Sequence, residues 1–171
     1  MHMSDLQGTK TEQDLLEAFA GESQANRKYL AFAEQADKEG YPQVAKLFRA
    51  AAAAETVHAH AHLRALDGIK STLENLKEAV GGETHEFKEM YPPMIKEAAA
   101  KGFKAAERTF SYANEVEKVH AGLYEKALAD LGQNVTCDYW VCKVCGNTLE
   151  AEPQDPCTVC KAGKVAFFKI D

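Results

Sequence analysis

Glu55-Thr56-Val57-His58 and Glu117-Lys118-Val119-His120 decide the fold of this chain. The two motifs lie 62 residues apart, and they follow the isolated glutamates Glu22 and Glu83 by 33 and 34 residues. Positions three apart on a helix share a face, so each Glu-x-x-His offers two hard-metal ligands to one side. One glutamate from each of two helices, with Glu-x-x-His from each of the other two, is the ligand pattern of a di-iron four-helix bundle. An all-α redox metalloprotein is the first expectation.

Four helices are predicted around these motifs: about Thr11 to Glu39, Pro42 to Leu66, a third from about Thr72, and Phe103 to Leu131. Each carries a stripe stepping by four and three, the period of a core-facing seam. Leu15, Phe19, Glu22, Asn26 and Tyr29 mark it in the first helix; Phe110, Ala113, Glu117, His120 and Tyr124 mark it in the last. Pro92-Pro93 should kink the third helix. Glu22, Glu55, His58, Glu83, Glu117 and His120 thus fall where apolar residues belong. Taken singly, each glutamate reads as a surface residue, because Glu is almost never buried unpaired. Taken together, carboxylates facing one interior lose hydration and repel unless cations compensate. A metal pair does that.

The two halves repeat. With an offset of 62, Gly40, Phe48, Ala51, Glu55 and His58 match Gly102, Phe110, Ala113, Glu117 and His120; with an offset of 61, Leu15, Gly21 and Glu22 match Leu76, Gly82 and Glu83. Glu86 breaks the symmetry, because Ala25 stands at its place in the first half. It reads either as a solvated glutamate or as a seventh ligand that serves one iron in one oxidation state.

The connection about Asp67 to Ser71 constrains the assembly. His58 lies roughly 12 Å before the second helix ends and Glu83 roughly 16 Å after the third begins, at 1.5 Å per residue. Parallel second and third helices would need a return of roughly 30 Å, whereas five extended residues reach about 17 Å. A domain-swapped homodimer is expected, with helices one and two of one chain completing the bundle of helices three and four of its partner. An up-down-up-down monomer is the competing solution.

Cys142-Lys143-Val144-Cys145 and Cys157-Thr158-Val159-Cys160 form two knuckles separated by eleven residues. Four such thiolates make a tetrahedral site for iron or zinc. Attachment to a di-iron bundle favours iron, since that centre needs an electron supply. Tyr139, Trp140, Phe167 and Phe168 supply a small aromatic core, and Cys137 is a bystander thiol. Paired knuckles with an odd cysteine suit a reducing cytosol better than a disulfide framework, so a cytoplasmic protein is expected.

The net charge of −6 argues against nucleic acid, which needs concentrated basic patches. No apolar run approaches the roughly 20 residues of a membrane span, and no charged-then-apolar leader is seen. A hydrophobic content of 46% suffices for a packed core. Met1-His2-Met3 reads in part as an expression remnant.

These residues resemble the rubrerythrin family across nearly the whole chain. The resemblance rests on Ala20-Gly21-Glu22-Ser23-Gln24-Ala25 with Tyr29, the two Glu-x-x-His motifs, Gly82-Glu83-Thr84-His85-Glu86-Phe87, and Glu89-Met90-Tyr91-Pro92. The tail is similar to a rubredoxin module, with Gly146 after the first knuckle; Lys161-Ala162-Gly163 departs from the usual glycine after the last cysteine. The resemblance implies a ferritin-like di-iron bundle over residues 1–134 and a rubredoxin-like iron module over 135–171. It implies a non-haem peroxidase that reduces hydrogen peroxide to water, with electrons from a reductase or rubredoxin, ultimately from NAD(P)H, through iron at Cys142, Cys145, Cys157 and Cys160. It further implies that Glu22 holds the first iron, Glu83 and His120 the second, and that Glu55 and Glu117 bridge. His58 and Glu86 would alternate on the first iron, histidine when ferrous and glutamate when ferric, while Tyr29 and Tyr91 donate hydrogen bonds to the carboxylates. Zinc or manganese can substitute at either kind of site.

Two rival functions stand beside this one. Iron storage with a ferroxidase centre lacks a use for Glu86 and the four-cysteine module; an oxygen-reducing electron-transfer protein would share the same ligands. Among the remaining residues, His60 and His85 read as surface, His62 as a hydrogen-bonded core histidine, and Met90 and Met94 as core packing.

Overall fold

Thr9 starts the first helix by accepting the Glu12 amide on its hydroxyl at 3.2 Å, which satisfies one of the four unpaired N–H groups of a helix start. In this computed structural model, which describes residues 6–171, α1 spans Lys10–Lys38 and α2 Pro42–Ala65. Met1-His2-Met3 lies outside the described residues. Then come α3 (Thr72–His85), a π turn (Glu86–Met90), α4 (Tyr91–Ala100) and α5 (Lys104–Ala129). Strands β1 (Trp140–Cys142), β2 (Thr148–Leu149) and β3 (Phe167–Lys169) follow. The expected all-α body with a small C-terminal knuckle domain is what the chain forms. Packing divides it into two units, Met1–Lys70 and Ser71–Asp171.

The first unit is an α1–α2 hairpin. Gly40, at φ +82°, lets the Tyr41 amide turn back to the Ala36 carbonyl at 2.8 Å, a left-handed cap that glycine takes without a Cβ penalty. Ala33, Ala36 and Ala45 form the buried contact with Phe48 against it, small side chains that let the two backbones approach closely. Asn26 ties the helices further along, donating to the Ala52 carbonyl at 2.7 Å and to the Thr56 hydroxyl at 2.9 Å. Phe32, Leu47 and Val57 remain exposed.

The second unit repeats the hairpin. Ser71 and Glu74 form a reciprocal capping box at the start of α3, and Gly102, at φ +73°, returns the Phe103 amide to the Ala98 carbonyl at 2.9 Å. The helix expected to kink at Pro92-Pro93 widens just before them. Tyr91 N–H bonds to Glu86 C=O, five residues back, and the prolines occupy the first positions of α4. A wider turn accommodates a proline ring, which in an α-helix collides with the carbonyl four residues earlier. Met94, expected in the core, is exposed, because a helix in a two-helix layer is covered on one side only.

The tail folds into an antiparallel sheet in the order β2-β1-β3, with Trp140 opposite Leu149 and Lys169. It packs on α5 through Thr148, which reaches His120, and Glu150, which pairs with Lys126 at 2.5 Å.

Candidate metal centre

Each hairpin assembles one carboxylate–histidine group. In the first, α1 contributes Glu22 and α2 contributes Glu55 and His58; the His58 Nδ1 lies 2.9 Å from Glu55 and 3.8 Å from Glu22. In the second, α3 contributes Glu83 and α5 contributes Glu117 and His120, with Nδ1 at 2.8 Å from Glu117 and 3.7 Å from Glu83. Ligand atoms within each trio lie within 4.8 Å of one another. Both histidines turn Nδ1 to the carboxylates, because Glu-x-x-His on a helix brings the two side chains over one turn.

The second trio is a crowded set of partly buried carboxylates. Burial, then repulsion and a shared hydrogen bond with Glu117, push the Glu83 carboxyl above its usual range, with His120 opposing. Burial and Glu83 raise Glu86 in the same way, opposed by His85 and His120. Crowded oxygens and imidazole nitrogens of this kind suit iron, manganese or zinc. The residues of each trio fit a metal ion.

Glu86 is not one of the atoms gathered around His120, yet its repulsion with Glu83 places it beside that trio. Tyr91 borders the same carboxylates: burial first, then Glu86, Glu117 and Glu83, hold its phenol above the usual range. Its ring stacks obliquely on Phe110 at 6.3 Å, as Tyr29 does on Phe48 at 6.1 Å. His60 and His85 are exposed and His62 half-buried; His85 pairs with Glu89 at 3.3 Å.

The π turn is the site feature absent from the expectations. Its signal is in the spacing. Glu22 and Glu83 are related by 61, whereas Tyr29 and Tyr91, Ala36 and Ala98, and Gly40 and Gly102 are related by 62. One residue is therefore inserted between Glu83 and Tyr91, where Glu86–Met90 forms the π turn. A single inserted residue is absorbed by widening one turn rather than by rotating the rest of the helix out of register. The 33- and 34-residue spacings differ for the same reason.

The four knuckle cysteines converge. Sγ of Cys142 lies 3.7 Å from that of Cys160, and Sγ of Cys145 lies 3.8 Å from that of Cys157. A tetrahedron with metal–sulfur bonds of about 2.3 Å has edges of about 3.8 Å, so the separations match a metal site and are far too long for disulfides. Burial opposes the Cys157 thiolate, but the amides of Cys160 and Val159 outweigh it and bring the thiol down to about 7. Burial pushes Cys145 far up. Lys161, where the glycine is missing, adopts φ +63°, the counterpart of Gly146 at φ +84°. Cys137 stands apart, 4.0 Å from Glu150.

No described helix is long and apolar enough to cross a membrane. The family model described as rubrerythrin matches residues 14–128. The chain is similar to Rubrerythrin-2 of Clostridium acetobutylicum, with 35% identity over 90% of this chain and 92% of that protein. It is similar to the rubrerythrin of Porphyromonas gingivalis, with 34% identity over 96% and 91%. Among solved structures it is similar to nigerythrin in its fully reduced, all-ferrous state, with a TM-score of 0.57 and 32% identity over 95% of this chain and 87% of that one. With its ferritin-like helices, two carboxylate–histidine trios and a four-cysteine knuckle, the chain belongs to the rubrerythrin family of oxidative-stress di-iron oxidoreductases.

Proposed function

We propose that this chain is a peroxidase that reduces hydrogen peroxide to two waters, taking up two electrons and two protons. The observation that carries this reading is the presence in one chain of two Glu-Glu-His trios and a four-sulfur cluster. Glu22, Glu55, His58, Glu83, Glu117 and His120 would hold an iron pair, with Glu86 as the further carboxylate that would alternate with His58 as positive charge changes. Such a pair would supply the two electrons the O–O bond needs, and an iron held by Cys142, Cys145, Cys157 and Cys160 would supply the path by which they are replaced. The Tyr91 hydroxyl keeps its proton and donates to the neighbouring carboxylates; Tyr29 takes the matching role at its own trio. Residues 1–134 carry the peroxide chemistry and 135–171 the electron inlet, fed by a reductase or rubredoxin drawing on NAD(P)H in the cytoplasm.

A swapped homodimer completes the bundle in this reading. Each hairpin carries one trio, and exposed Phe32, Leu47, Val57 and Phe103 are apolar groups that a four-helix core would bury. Light scattering of the purified protein should give a dimer or a multiple of it; a monomer overturns the swap.

The function is tested by metal analysis and visible spectroscopy, then anaerobic stopped-flow oxidation of the reduced protein by peroxide and by oxygen. Oxidation by peroxide at least tenfold faster than by oxygen supports the peroxidase. Faster oxidation by oxygen sinks it.

A further inference from the structure

His120 and His58 occupy equivalent positions in the repeat, but among the described residues His120 alone of the two is held from behind. His120 turns Nδ1 to Glu117, and its Nε2 lies 3.0 Å from the Thr148 hydroxyl. That hydroxyl donates to the Gly146 carbonyl at 3.0 Å. Its proton is thereby committed, so Thr148 Oγ1 accepts from His120 and Nε2 carries the hydrogen. Nδ1 faces Glu117 at 2.8 Å and Glu83 at 3.7 Å, and a metal ion between those carboxylates would take the place of its proton while Nε2 keeps its own. His58 is more exposed, with 55% of its side chain accessible against 28% for His120. Among the described residues its hydrogen bonding is to Glu55, through Nδ1.

The hydroxyl that holds His120 belongs to the four-cysteine module. Thr148 follows Cys145-Gly146-Asn147 directly. Gly146 N–H bonds to Cys142 C=O at 2.8 Å, Cys142 N–H to Asn147 C=O at 3.0 Å, and buried Asn147 Nδ2 reaches the Cys157 sulfur at 3.7 Å. The positions of Thr148 and its acceptor carbonyl are therefore set by the loop that carries two of the four thiolates. A metal ion there gives the module much of its folding energy.

We propose that Thr148 is a positioning residue through which the four-cysteine module holds the His120 ring by its Nε2–H and raises the metal affinity of the Glu83–Glu117–His120 site. Loading the four cysteines and loading that site are then coupled, and by linkage each favours the other. The proposal rests on the metal reading of the trio given above.

The test compares the full-length protein with Thr148→Val and Thr148→Ser. Cobalt(II) is titrated into zinc-loaded protein with a competing chelator, and the histidine ring nitrogens are followed by NMR before cobalt is added. Valine removes the acceptor at nearly constant volume and should weaken cobalt binding at the trio by about tenfold or more. It should also abolish the hydrogen-bonded Nε2–H signal of His120, while serine restores both. Native-like zinc content in the valine variant shows that the module still folds. Unchanged affinity and an unchanged Nε2–H signal in Thr148→Val overturn the proposal. If the parent binds no cobalt at the trio, the metal reading fails, and the Nε2–H comparison still decides whether Thr148 orients His120.

Discussion

The carbonyl of Glu86 accepts the amide of Tyr91, five residues along the chain rather than four. That single wide turn lets Tyr91 stack on Phe110 just as Tyr29 stacks on Phe48, although one residue more separates it from its glutamate. Without the turn, the inserted residue would rotate everything beyond it by about 100°, one residue's share of a 3.6-residue turn. The extra carboxylate of the second half thus sits at the first position of the wide turn, next to the trio.

Replacement of Glu86 by alanine should leave two metals per bundle bound but slow peroxide oxidation by an order of magnitude, about the effect of losing a ligand-supporting group. Stopped-flow absorbance and metal analysis on the same sample measure both. Oxidation at the parental rate, with an unchanged oxidised-iron spectrum, removes the exchange of Glu86 for His58.

The metal-free protein should lose stability as pH rises through and above the ordinary carboxylate range. Glu83 and Glu86 are both raised in the folded state, so the folded chain binds their protons more tightly than the unfolded one. Their contribution is present at low pH and is lost as the pH climbs past their folded values. Thermal unfolding at pH 5 and pH 7 of the parent and of Glu83→Gln measures it; the variant should show the smaller difference. Metal loading should oppose the trend by compensating the ionised carboxylates.

Lys161 holds φ +63°, a conformation that costs a residue with a Cβ about 1 kcal/mol. Lys161→Gly should therefore stabilise the module by up to about 1 kcal/mol, less the extra chain entropy of glycine. Thermal loss of the four-cysteine iron absorbance reports it directly. A lower midpoint would mean that the Lys161 ammonium bond to the Thr158 carbonyl, at 2.8 Å, outweighs the backbone strain.

Ala45 is completely buried where α2 meets α1. Leucine there forces the helices apart and should destabilise the protein by about 1–3 kcal/mol, read as a lower midpoint in urea unfolding. Leu47, equally aliphatic but exposed, should tolerate alanine in a monomeric chain. In the proposed dimer, Leu47→Ala should weaken association, measured by light scattering on dilution.

The helices, the two trios and the four-cysteine cluster were legible in the sequence because each follows from short-range periodicity. A helix turn brings Glu and His three apart to one face, and two knuckles bring four sulfurs together. The duplication was equally legible as repeated offsets. The wide turn at Glu86 was less so: the change of offset from 61 to 62 marks one inserted residue, but only the structure shows that a single π turn absorbs it. The bond from Thr148 to His120 had no sequence signal at all, since it joins residues 28 apart in elements of unrelated pattern. Local periodicity therefore determined which side chains face each other along helices and knuckles. Tertiary packing alone decided that the sheet lies on α5 and that one histidine is backed by a hydroxyl, because contacts between separate elements depend on shape and register that no spacing encodes.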